Sequence, residues 1–291
     1  MAYLLLASRR MAAAKAVALL MLVSLTLSAG LQVNFDDLIA TLKNIPLLVK
    51  ALIANFVIVP ILGVLLARLF VLPEEIATGF LLMAIAPGVP FVLASVRKRG
   101  GSLGLAIELA AVLPLVSIVT VPLTAHYVLP TAEAAELPLG NFVVTLVLFQ
   151  LLPLLIGITI GTKLPNIAPR LSRISQIVFL LTVLVVIILL APKLAAGVAA
   201  VYGSRGMWAM LCISVLAMLT GWLLGGPLPK NRRVLGIGTT LRNIGLCLVI
   251  ATTSFPDTLV GAAVLTYLLV QFVIVTIVGV YFARLTKEAA A

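Results

Sequence analysis

The chain has 291 residues, 63% of them hydrophobic and only 10% charged, with a mean hydropathy of +1.28. Soluble domains carry about 25% charged residues, so this composition excludes a water-soluble enzyme or binding module and points to an integral membrane protein. The formal charge of +11 does not indicate a nucleic-acid partner, because the basic residues stand in short clusters between apolar runs and are not interleaved with exposed aromatics.

Nine apolar stretches of membrane-spanning length follow one another, bounded by charges, Pro or Gly: 15–33, 47–71, 75–96, 102–128, 139–162, 174–194, 206–227, 233–254 and 258–284. The first, preceded by Arg9 and Arg10, continues too far for a cleaved signal and is taken as a helix. Between the first two, VNFDDLIATLKNIP reads either as an interfacial helix with Phe35, Leu38, Ile39 and Leu42 on one side, or as a loop. The third contains APGVP at 86–90, where Pro87, Gly88 and Pro90 cannot all continue an unbroken helix.

Basic residues collect after the third, fifth and seventh spans: Arg97, Lys98 and Arg99, then Lys163, Arg170 and Arg173, then Lys230, Arg232 and Arg233. That side is expected to be cytoplasmic, which puts the N-terminus outside and the C-terminus inside, the membrane being a bacterial inner membrane. Arg9, Arg10, Lys15, Lys193 and Arg205 fall on the other side and count against this orientation. Cys212 and Cys247 lie in apolar runs without metal-ligand spacing and imply neither a disulfide nor a zinc site, and no cofactor is expected.

The most informative stretch is Leu235–Ile250, LGIGTTLRNIGLCLVI, an apolar segment holding Arg242 and Asn243. Gly236, Gly238 and Gly245 are expected to let the backbone unwind around Thr239, Thr240, Arg242 and Asn243. A charge at bilayer depth costs about 2.5–3.5 kcal/mol on insertion scales, so Arg242 needs a partner, a wet cavity or an anionic ligand. Two interrupted helices, one in each half (15–138, broken near 86–93; 139–284, broken near 236–246), form the pattern from which transporters build midplane sites.

Five segments together resemble the bile acid:sodium symporter family: SLTLSAGLQVNFDDLIATLKNIP (24–46), IANFVIVP (53–60), EEIATGFLLMAIAPG (74–88), FQLLPLLIGITIGTK (149–163) and LRNIGLCLVIA (241–251). The resemblance implies an all-α, inverted-repeat transporter in its nine-helix form, with a core domain holding two crossing helices, a smaller panel domain, and alternating access between them. It also exposes departures. The run that supplies sodium with side-chain oxygens in the family stands here as Val89, Pro90, Phe91, Val92 and Leu93; two further ligand positions fall on Ala106 and Ala110; the family's Glu falls near Gly238 and its Gln at Arg242. Asn55 and Asn243 alone keep amide character.

The candidate site residues are Arg242, Asn243, Thr239, Thr240, Asn55, Gln271 and Glu108. Glu108, the one carboxylate well inside a span, either pairs with Arg242 or carries a coupled proton, or else forms a plain ion pair or snorkels to the interface. It stands about 200° of helix away from Ala106 and Ala110. Gln150 and Gln271 either line a cavity or bond between helices, and the threonines either meet a ligand or bond back to their own helix. His126, beside Tyr127, reads as an interfacial pair or a proton relay. These residues point to a secondary transporter of a small organic anion in the lipid bilayer, proton-coupled or uniporting instead of sodium-coupled. The alternative is a receptor or sensor that keeps the fold and does not transport. No nucleophile or metal constellation supports an enzyme.

Overall fold

The computed structural model describes residues 2–41, 44–88, 100–130 and 139–288. All regular elements among them are helical: α1 (Ala2–Gly30), α2 (Phe35–Thr41), α3 (Ile45–Leu69), α4 (Glu74–Ile85), α5 (Leu103–Val128), α6 (Gly140–Lys163), α7 (Ala168–Gly203), α8 (Gly206–Leu224), α9 (Pro229–Thr240), α10 (Ile244–Ser254) and α11 (Val260–Glu288). By length and apolarity seven of them can cross a membrane: α1, α3, α5, α6, α7, α8 and α11. They coincide with seven of the nine predicted spans. The other two predicted spans, 75–96 and 233–254, are the interrupted segments. The first stops being helical at Ile85 and its continuation past Gly88 lies outside the described residues, while the second divides into α9 and α10.

Several boundaries differ from the sequence expectation. The sixth span was expected at 174–194, but α7 runs for 36 residues, through Pro192 and Lys193. At 1.5 Å per residue that is about 54 Å, well beyond the roughly 30 Å hydrocarbon core. Lys193, a good helix former, continues α7, and its ammonium meets Asp257 on the loop after α10 at 2.9 Å. The stretch after α1 is a helix, with Phe35 and Ile39 outward; Leu42 lies outside the described residues.

The second break lies within the expected 236–246 and is shorter than the glycines suggested. Thr239 and Thr240 are the last residues of α9, and only Leu241, Arg242 and Asn243 are non-helical. Gly236 and Gly245 lie inside helices, where they permit close approach: a Cβ on Gly236 would stand 3.0 Å from the Met218 sulfur, and one on Gly245 3.1 Å from Leu22 Cα. The break is instead fixed by pairing with the first interrupted helix. Asn243 N–H donates to the Ala86 carbonyl at 3.0 Å and Gly88 N–H donates to the Leu241 carbonyl at 3.0 Å, an antiparallel bridge between Pro87 and Arg242. Each break therefore satisfies backbone groups of the other, as a non-helical backbone at membrane depth must. Only glycine fits at 88, since a Cβ there would collide with the Arg242 carbonyl carbon.

The interior forms two apolar clusters. One gathers Ile85, Ala86, Ile118, Leu146, Ile244 and Val270; the other gathers Ala51, Ala110, Leu113, Leu154, Leu241 and Val275. At five of the places where the chain passes from one cluster to the other a buried polar residue stands: Asn55 in α3, Ser117 in α5, Gln150 in α6, Arg242 and Asn243 at the break, and Gln271 in α11. Each is at most 2% exposed. The crossing thus lies in a buried polar layer between two apolar halves.

Helix ends group by charge. The Ser102 amide donates to the Lys230 carbonyl and the Phe35 amide to Thr162 Oγ1, so the start of α5, the start of α9, the end of α6 and the end of α1 share the basic end of the bundle. At the opposite end Glu75 Oε2 accepts from the Leu259 amide, close to the Lys193–Asp257 pair.

Candidate functional site

Arg242 is the centre of the polar layer. It is fully buried, and its Nε and both terminal nitrogens have no hydrogen-bond partner among the described residues. Its backbone N–H is held by Gln271 Oε1 at 2.9 Å, so α11 fixes the main chain while the guanidinium is left uncommitted. Tyr267 and Cys247 lie within electrostatic range of the guanidinium. Tyr267, fully buried and stacked on Phe80 at 5.8 Å between ring centres, makes no well-formed hydrogen bond through its hydroxyl, although Ser214 is close. Sequence reasoning did not single out Tyr267, since an isolated tyrosine in an apolar helix carries no signal of its own.

Asn243 is differently placed. Its Oδ1 accepts from the Leu246 amide at 3.1 Å, making it the N-cap of α10, and its Nδ2 donates to Gln150 Oε1 at 3.1 Å. Asn243 therefore acts on the crossing, with its amide engaged on both atoms. Gln150 completes the chain of bonds: its Nε2 donates to the Pro114 carbonyl at 2.9 Å and to Ser117 Oγ at 2.8 Å. Of the two readings open for Gln150, the bond between helices is the observed one.

Asn55 and Gln150 both lie in single π-helical turns, Ala54–Ile58 and Val147–Leu151. Each turn is closed by the residue before a proline: Val59 N–H donates to the Ala54 carbonyl ahead of Pro60, and Leu152 N–H to the Val147 carbonyl ahead of Pro153. Proline removes the next donor, and a π turn is one way to absorb the mismatch. Asn55 Nδ2 donates to the Ala51 carbonyl at 3.0 Å, and its buried Oδ1 has no partner among the described residues.

The remaining candidates separate. Thr240 bonds back to Gly236 at 2.9 Å and Thr252 to Leu248 at 2.7 Å, whereas the buried Thr239 hydroxyl, one turn from Arg242, has no partner among the described residues. Glu108 does not pair with Arg242: no such ion pair forms among the described residues. It also does not snorkel, being 2% exposed with Oε1 unpartnered. The reason is axial distance. Glu108 sits inside the second apolar cluster nine residues before Ser117, about 13 Å of helix from the polar layer. His126 packs edge-on against Tyr127 at 5.1 Å near the end of α5. Ala106 and Ala110 are buried among apolar side chains and supply no side-chain oxygen; residues 89–93 lie outside the described residues.

The model of the sodium bile acid symporter family matches residues 19–197, well over half of the chain. The chain belongs to that family. The rat hepatic sodium/bile acid cotransporter is 27% identical over 261 residues, covering 84% of this chain and 69% of that protein. Human sodium/bile acid cotransporter 4 is 27% identical over 227 residues, covering 73% of this chain and 50% of its own length. The mouse P3 protein is 26% identical over 152 residues, 51% of this chain and 32% of that protein. The chain thus spans about half the length of the human cotransporter and a third of the P3 protein. The family is one of membrane transporters and not of enzymes. Its matched segment ends before α8, so the break that carries Arg242 lies beyond it.

Proposed function

We propose that this membrane transporter moves a small organic anion by alternating access around the crossing, and that it does so without sodium coupling. The observation that carries this reading is the Arg242 guanidinium, fully buried in the polar layer with three nitrogens unpartnered among the described residues. A guanidinium offers a fork of donors that matches a carboxylate or sulfonate bidentately. The same group opposes sodium: a cation within about 5 Å would meet about 3 kcal/mol of repulsion at an effective dielectric of about 20. Neutral Ala106 and Ala110, and an Asn243 oxygen already capping α10, leave few oxygens to offset it. A fixed guanidinium also neutralises the carbonyl ends at the crossing, the task a bound cation would otherwise perform.

In this reading α1, α6 and α7 form the panel, the other spans form the core, and the two interrupted segments complete nine crossings in a bacterial inner membrane. The basic end faces the cytoplasm, with the first residues of α1 outside. Relatives named for sodium and bile acids suggest an amphipathic anion as the first probe. Labelled taurocholate and labelled benzoate uptake into proteoliposomes would be measured with sodium, potassium or choline outside, with and without a pH gradient. Uptake is expected to be indifferent to sodium and abolished by Arg242→Gln. Sodium-driven uptake whose sodium dependence survives Arg242→Gln would refute the reading, and binding without flux would favour a receptor.

A further inference from the structure

We propose that Gln150 is the positioning residue through which α6 holds the crossing in register, and that its bonds to α5 are released when the crossing opens. The first part rests on geometry alone; the second rests on the alternating-access reading above. Gln150 is fully buried in the π turn of α6 and makes three side-chain bonds to two other parts of the bundle. Two go to α5, at Pro114 and Ser117, and one goes to Asn243. Both Nε2 hydrogens are thereby donated. The Asn243 partner caps α10 and donates its backbone N–H across the bridge to Ala86, so a shift of Gln150 bears directly on the residue next to Arg242. The carbonyl and hydroxyl that receive Gln150 are themselves bonded, Ser117 Oγ donating to the Pro114 carbonyl at 2.7 Å. Side chain, hydroxyl and carbonyl form one closed polar unit inside an otherwise apolar contact. An apolar layer tolerates sliding, but this unit specifies a single alignment of α6 against α5 and the break.

Cys247 reports on opening. It lies one turn beyond Asn243, is fully buried, and its Sγ contacts the Leu82 carbonyl at 3.3 Å, between α10 and α4. A thiol reagent reaches it only when the crossing loosens. In a Cys212→Ser background, the rate of Cys247 modification by methyl methanethiosulfonate would be measured in proteoliposomes for Gln150→Leu, Ser117→Ala and the double variant. A Val186→Ala control, a buried site on α7 outside the layer, lowers stability without touching the joint. Each joint variant is expected to speed modification about tenfold, the range that losing one or two bonds spans. The double variant should go no further than Gln150→Leu, because both changes remove one shared contact. The proposal is overturned if Gln150→Leu leaves the rate unchanged, if the effects of the two substitutions multiply, or if Val186→Ala accelerates modification as much. None of these measurements uses a transported substrate, so they judge the joint separately from the anion-transport reading. With taurocholate as the probe, Gln150→Leu should change kcat more than KM, whereas Arg242→Gln should abolish binding.

Discussion

Arg242 was legible because a charge in an apolar run has few explanations, and among the described residues the pairing with Glu108 is not the one seen. Its guanidinium meets neither Glu108 nor any other acceptor among the described residues. An unpaired buried charge carries a desolvation penalty of several kcal/mol that an apolar side chain of similar length does not. Arg242→Met is therefore expected to raise the melting temperature of the detergent-solubilised protein while erasing the thermal shift produced by taurocholate. A lower melting temperature in Arg242→Met would show that the guanidinium is satisfied by a group of the protein itself. Asn243 looked equivalent in the sequence, being the adjacent amide, yet it is consumed as a helix cap and a Gln150 partner. One-dimensional adjacency does not separate a residue aimed at a ligand from one that holds the chain in place; the direction of the broken backbone does.

Among the elements, the first break could be read from Pro87 and Gly88, because proline removes a donor and glycine permits contact. The second was expected to be longer because its glycines were read as flexible, whereas Gly236 and Gly245 are contact points between helices. The π turns around Asn55 and Gln150 left only a faint trace, a proline closely following each turn. Their angular displacement needs the neighbouring helices to define it. The crossing itself makes a sharp expectation. A Cβ at 88 would collide with the Arg242 backbone, and the bridge of two hydrogen bonds has no space to yield without losing both. Gly88→Ala should destabilise the protein by more than about 2 kcal/mol, a value tied to strain and lost buried bonds. Cys247 should then become reactive toward small thiol reagents. Thermal denaturation together with thiol modification checks this; an unchanged midpoint and an inert Cys247 would mean that the two breaks are not tightly packed.

At the scale of the whole molecule, hydropathy marked all seven long helices, since a run of about 20 apolar residues has little choice but to be a span. The division of the core into two apolar halves, with a buried polar residue at five of the junctions, was not visible, because those junctions are scattered along the chain. The grouping of helix ends supplies the argument for orientation. Lys193, which had counted against it, is paired with Asp257. The positive-inside bias, however, counts Lys and Arg and gives acidic residues little weight, so the orientation rests on the larger number of basic residues at the other end. The ends bearing Lys163, Arg170, Arg173 and Lys230 then dominate, and that end should face the cytoplasm. Asn166, exposed in the turn before α7, and Tyr202, 78% exposed near the far end of the same helix, lie on opposite sides of the membrane in this arrangement. In a background with Cys212→Ser and Cys247→Ser, a membrane-impermeant maleimide applied to intact bacterial cells should label Tyr202→Cys at once and Asn166→Cys only after permeabilisation. The reverse pattern would invert the bundle. It would also turn the basic end outward, where the positive-inside bias could no longer account for its charge.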